Sequence, residues 1–185
     1  FLLRSHSEYF RPGPLFWRRE MSMFVEKIVT GRWRENCYVV HQADRQALVI
    51  DPGANAEDIL GLLTERELTP QAILNTHAHF DHIGAVVALK QQFDCPFYLH
   101  SGDSDLLKRA NLYKIIFGSR RPVQVPSIDT DIAQLPSRFT IGPFDITWIA
   151  SPGHTAGSVC FQIDDFIFTG DTLIPGARAR TDLPG

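Results

Sequence analysis

His77-Ala78-His79-Phe80-Asp81-His82 decides how this sequence reads, because three of the chain's seven histidines and an aspartate fall within six residues. Imidazole and carboxylate are the ligand types that suit zinc, iron and manganese. The segment leaves a short apolar strand, Ala72-Ile73-Leu74, and enters a stretch with helical spacing. Residues two apart on an extended loop project the same way, so His77 and His79 can grip one ion. Asp81 and His82 stand at the helix start, point elsewhere and can hold a second ion nearby, where the helix N-terminus also favours the carboxylate. A polar turn with a capping aspartate would account for one histidine but not for this cluster.

Two later positions supply what the first motif lacks. Pro152-Gly153-His154-Thr155-Ala156-Gly157-Ser158 sets a histidine in a turn after a strand ending near Ile149. Gly170-Asp171-Thr172 sets a carboxylate at the end of the apolar strand Phe166-Ile167-Phe168-Thr169. Each alone reads as an ordinary turn. Both sit at strand exits, where loop residues converge on one sheet edge. As a set, His154 gives the first ion a third nitrogen, and Asp171 gives a carboxylate that can bridge both ions.

Working outward, short β-rich runs at 24–29, 37–40 and 47–50 precede a helix at 55–67 with Asn55 as its N-cap. One further helix is expected over 81–93, a strand over 96–100 and helical structure over 101–116. An irregular stretch, 120–134, leads to strands at 139–141, 144–149, 158–163 and 165–169. Strands mixed with helices over one core suggest a layered α/β arrangement.

The chain's 185 residues match a single-domain length, and 44% hydrophobic residues suffice for a core. A formal net charge of −3 gives no electrostatic case for nucleic acid or anionic membranes. No uncharged apolar run approaches the roughly 18 residues of a membrane span. Cys37, Cys95 and Cys160 are odd in number and widely spaced, which favours buried thiols and a reducing, cytoplasmic setting. Residues 1–22 are basic and broken by Pro and Gly, so they read as an extension outside a domain at 23–185.

The series HxHxDH, PGHTxGS and GDTL resembles the metallo-β-lactamase superfamily, most nearly its glyoxalase II-like (hydroxyacylglutathione hydrolase-like) branch. Glu35-Asn36-Cys37-Tyr38, Ile50-Asp51-Pro52-Gly53 and Arg180-Thr181-Asp182-Leu183-Pro184-Gly185 add to the match. The resemblance spans 23–185 and implies a four-layer αββα sandwich with metals at one edge of its two sheets. Carried over by residue, His77, His79 and His154 hold site one, Asp81 and His82 hold site two, and Asp171 bridges. The implied cofactor is zinc, as two ions, with iron or manganese as other candidates. Asp51 matches the family's buried aspartate behind the metal loop, although an ordinary strand-end turn explains it equally well. The family supplies one more histidine from a later strand, and no residue after Asp171 replaces it, so the domain is expected to be cut short at its C-terminus.

The implied activity is metal-dependent hydrolysis of a small-molecule thioester such as a hydroxyacylglutathione, with Asp81 as proton acceptor. No GxSxG is present to suggest a serine nucleophile. Two alternatives stand beside it: a non-haem iron persulfide dioxygenase using His77, His154 and Asp171, and an inactive, truncated metal-binding domain. His100 reads as structural, and the basic stretch Lys108, Arg109, Lys114, Arg120 and Arg121 as a solvated helix face that could also greet a glutathione conjugate.

Overall fold

The computed structural model describes residues 2–4, 23–119, 121–174, 176–178 and 180–181. Two sheets stack face to face. The first has the order β2 (Phe24–Thr30), β3 (Glu35–His41), β4 (Gln46–Ile50), β5 (Thr69–Leu74), β6 (Phe97–Leu99) and β7 (Thr130–Asp131). Its first three strands pair antiparallel, whereas β4 to β7 run parallel. The second is antiparallel throughout: β1 (Leu2–Arg4), β11 (Phe166–Phe168), β10 (Val159–Ile163), β9 (Phe144–Ala150) and β8 (Arg138–Ile141). A two-stranded ribbon, β12 (Leu173–Ile174) with β13 (Ala177–Arg178), follows.

Both faces of the first sheet are covered at its centre, so β3, β4 and the end of β5 carry continuous apolar runs rather than alternating ones. Strand alternation then divides each run between two cores. Cys37, Val39, Ala47, Val49 and Ile73 face the helices. Tyr38, Val40, Leu48, Ile50 and Leu74 face Phe144, Ile146, Val159 and Phe161 of the second sheet. The helices are α1 (Ala56–Glu65), α2 (Phe80–Ile83), α3 (Val86–Phe93), α4 (Ser104–Lys108) and α5 (Ala110–Ile116). All five contribute buried residues to the first core. Among the described residues the layers are therefore helices, sheet and sheet, and no helix is long and apolar enough to cross a membrane.

Three expectations change. The single helix expected over 81–93 is two, α2 and α3, divided at Gly84 and Ala85. The cause is tertiary. Ala85 N–H donates to the Pro52 carbonyl at 3.0 Å, and the Pro52-Gly53 turn packs so closely that a Cβ on Gly84 would overlap the Gly53 carbonyl oxygen. Asn55 precedes α1 but does not cap it with its side chain. It sits in the left-handed region, accepts from Gly31 N–H at 3.1 Å and donates to Asp58 at 2.9 Å. Finally, Leu2–Arg4 pairs with Phe166–Phe168, and Leu2 packs on the inter-sheet core. These three residues thus add a strand to the domain from which 1–22 was expected to be excluded, while 5–22 lie outside the described residues. The last match of the sequence motif, from Asp182 onward, lies outside them too.

The Gly53 turn gives a first prediction. A Cβ at Gly53 would overlap the Asp81 carbonyl oxygen and meet Glu35 Cγ at 2.7 Å. Backbone on one side cannot yield as a flexible side chain can, so Gly53→Ala should destabilise by about 1–3 kcal/mol. Urea unfolding reads this directly; an unchanged midpoint would show that the turn does not pack against α2.

Candidate metal centre

The parallel pairing of β4, β5 and β6 brings their C-terminal ends to one edge. Asp51 follows β4, His77 and His79 follow β5, and Asp103 follows β6. In the second sheet β9 and β11 run the same way, each antiparallel to β10, and deliver His154 and Asp171. Val159 N–H donates to the Thr76 carbonyl at 2.9 Å, which joins the two sheets at this edge. Asn75, fully buried, donates from Nδ2 to the His82 carbonyl at 2.7 Å and the His77 carbonyl at 3.3 Å, holding the intervening loop closed.

Four imidazoles pack together there. The His77 ring centroid lies 4.8 Å from that of His79, 4.1 Å from His82 and 4.8 Å from His154, with His79 and His154 4.7 Å apart. One ligand atom from each of His77, His79 and His154 falls within 4.8 Å of the others, and all three residues are buried. Asp51, His77 and His82 form a second such group. Hydrogen bonding separates the two. Asp51 holds a left-handed φ of 50° and accepts from both Thr76 N–H and Thr76 Oγ1–H, each at 2.7 Å. With its one proton committed to Asp51, Thr76 Oγ1 can only accept from His77 Nδ1, 3.1 Å away. That bond leaves the lone pair on His77 Nε2, which is buried with no hydrogen-bond partner among the described residues.

His154 is fixed by the same logic. Its Nδ1 lies 2.8 Å from the Arg180 carbonyl, an atom that only accepts, so Nδ1 carries the proton. Its Nε2 then turns an electron pair toward His79 Nδ1 at 3.0 Å. Tetrahedral zinc with bonds of 2.0–2.1 Å needs nitrogens about 3.4 Å apart. The orphaned Nε2 of His77 and the crowded nitrogens of His79 and His154 suit a cation, since buried polar atoms otherwise find partners.

Asp171 lies between the two histidine groups. Its Oδ2 is 3.4 Å from His154 Nε2 and its Oδ1 is 3.6 Å from His82 Nε2, with about a third of the side chain exposed. His82 Nδ1 lies 3.3 Å from Asp51 Oδ2 on the other side. Burial opposes charge on His82, but Asp51, Asp171 and Asp81 hold its pKa up at about 10. His77 is pushed far down by burial and then by the neighbouring His82, His79 and His154. Asp81, His82 and Asp171 line a cavity of about 230 Å³ together with Trp33, Arg34, Leu173 and Ile174. All six residues expected as ligands thus meet at one sheet edge, although Asp81 and Asp171 fall outside the two tight, buried groups.

Two further residues belong to this construction: Asp51, for which the sequence left a role behind the metal loop and an ordinary turn equally open, and Asp103, which sequence reasoning passed over. Asp51 touches His82 as well as Thr76, which a turn aspartate would not do. Asp103, fully buried, accepts from Ala78 N–H, Thr155 Oγ1–H and Gly157 N–H. It lies at the start of the stretch expected to be helical, and no motif marked it. His100 keeps its structural role, accepting at Nδ1 from Gly102 N–H at 3.1 Å. Cys37, Cys95 and Cys160 are free and buried.

This arrangement has counterparts. A relative named "Probable metallo-hydrolase YqgX", from Bacillus subtilis, is 38% identical over 146 residues, covering 77% of this chain and 68% of that protein. The hydroxyacylglutathione hydrolase GloC of Haemophilus influenzae is 31% identical over 172 residues, covering 88% and 77%. The crystal structure of the BLEG-1 B3 metallo-beta-lactamase superimposes with a TM-score of 0.80 at 36% identity, over 88% of this chain and 78% of that one. The family model of the metallo-beta-lactamase superfamily matches residues 30–185, and with the two sheets and the histidine-lined edge it places this chain in that superfamily.

Proposed function

We propose that the chain is a zinc-dependent hydrolase of small-molecule thioesters of the hydroxyacylglutathione type. The observation that carries the metal assignment is the buried His77 Nε2, unpartnered among the described residues, on a residue that gathers with His79 and His154. His77 Nε2, His79 Nδ1 and His154 Nε2 would hold one ion. Asp81 and His82 would take part in holding a second, and the two oxygens of Asp171, turned toward the two sides, would bridge them. A zinc ion held by these residues would supply Lewis acidity, which makes water a nucleophile near neutral pH.

The chain's own residues supply the rest. Asp81, on the cavity wall, would accept the proton of the attacking water as its oxygen bonds to the thioester carbonyl carbon, after which the C–S bond breaks and the thiolate leaves. Asp51 and Thr76 keep His77 in the tautomer that presents Nε2, a setting that orients metal-binding histidines generally. Trp33, Leu173 and Ile174 offer an apolar wall to a thioester's carbon skeleton, and the Arg34 guanidinium beside them suits a carboxylate such as glutathione carries. The similarity to GloC supports the thioester class.

The test is turnover by the zinc-loaded chain against a lactoylglutathione-type thioester, the matching oxygen ester and a β-lactam. The thioester should be hydrolysed fastest, and the activity should disappear with chelator and return with zinc. No turnover of several thioesters by metal-loaded protein would remove the thioesterase reading. Iron as the predominant metal after anaerobic purification, with oxygen uptake, would replace zinc hydrolysis by oxidative chemistry.

A further inference from the structure

We infer that Asp103 is the positioning residue that fixes the two histidine loops against each other and so sets how tightly the centre binds metal, an inference that rests on the metal-centre reading above. Asp103 immediately precedes α4, where an aspartate ordinarily accepts from the first N–H groups of its own helix. It makes no such side-chain bond. Both of its oxygens are turned to the site loops instead. Oδ2 accepts from Ala78 N–H at 2.8 Å and from Thr155 Oγ1–H at 2.8 Å, and Oδ1 accepts from Gly157 N–H at 2.6 Å.

The placement of those donors matters. Ala78 lies between His77 and His79, and Thr155 follows His154, so one carboxylate joins the two loops with a single residue's reach on either side. The 3.0 Å approach of His79 Nδ1 to His154 Nε2 spans the same gap. Gly157 is shaped to this joint: a Cβ there would stand 2.6 Å from Asp103 N and 2.8 Å from its carboxylate. A fully buried carboxylate carries a large desolvation cost, which these three donors offset. A helix cap on the protein surface would need none of this.

The requirement is for two acceptor oxygens. Asparagine has one. In either orientation its amide NH₂ would face a backbone N–H, of Gly157 or of Ala78, so Asp103→Asn must release one loop while nearly preserving side-chain volume. The experiment measures zinc affinity by chelator competition, and the cobalt absorption spectrum, on the full chain as wild type, Asp103→Asn, Thr155→Val and Leu89→Ala. Leu89 is a fully buried residue of α3 outside the site, and its truncation serves as the stability control. Asp103→Asn should lose roughly 10–100-fold in zinc affinity, the range for partners that orient metal ligands, with an altered cobalt spectrum. Thr155→Val should lose less in the same direction. Leu89→Ala should lower the melting temperature and leave affinity and spectrum alone.

Wild-type affinity and spectrum in Asp103→Asn would overturn the inference, as would an equal affinity loss in Leu89→Ala. Should Asp103→Asn fail to fold, Thr155→Val decides, and unchanged affinity there overturns it. A wild-type chain that binds neither metal overturns the metal-centre reading itself, a result distinct from all of these.

Discussion

Replacing His77 and His79 together with alanine should remove metal-dependent turnover and abolish the stabilisation that zinc confers. The two imidazoles supply two of the three nitrogens gathered within 4.8 Å, and His77 Nε2 has no other partner among the described residues. Losing ligands must cost more than losing the groups that orient them, so affinity should fall by more than about 100-fold. Binding that favours the folded chain stabilises it by about 2.7 kcal/mol when free metal exceeds Kd 100-fold. For a domain of this size that corresponds to a rise of roughly 5–10 °C in melting temperature. Wild type should show that rise on zinc addition and the double variant should not, while its circular dichroism in chelator matches wild type. A double variant that kept the zinc-induced rise would place the metal elsewhere.

Phe161→Ala should produce the largest loss of stability among single core substitutions. Phe161 is fully buried on β10, the strand at the middle of the second sheet, and stands opposite Trp148 on β9 and Phe168 on β11. It belongs to the core that holds the two sheets together, where Tyr38 meets Phe168 edge-on at 5.3 Å. Deleting a buried phenyl ring costs about 3–5 kcal/mol, roughly a fifth or more of a typical domain's stability. Because β9 and β11 lead into His154 and Asp171, loosening this core should also weaken metal binding. Urea unfolding should show a lower midpoint with an unchanged slope. A loss under about 1 kcal/mol would mean the two sheets do not share the core described.

Ligand chemistry is legible in sequence because few residue types can serve and because close spacing fixes geometry locally. The proposed ligands His77, His79, Asp81 and His82 are of this kind. So are His154 and Asp171, since each follows an apolar strand and a glycine-rich turn presents it. The strands were legible because double coverage of the first sheet leaves runs such as Tyr38-Val39-Val40, whose successive residues enter different cores. Features that depend on a distant partner left no local trace. The break between α2 and α3 needs the Pro52 carbonyl to take the Ala85 N–H. Asp103 and Asn75 lie in no motif, and their roles emerge only when their donors and acceptors on other segments are known. Leu2–Arg4 forms a strand only because the edge of β11 is there to pair with it.

The most direct test of the metal centre is anomalous diffraction at the zinc absorption edge from crystals of the zinc-loaded chain. A peak should lie about 2.0–2.1 Å from His77 Nε2, His79 Nδ1 and His154 Nε2, with Asp171 at its side. Density for zinc elsewhere, or none at this edge of the two sheets, would contradict it.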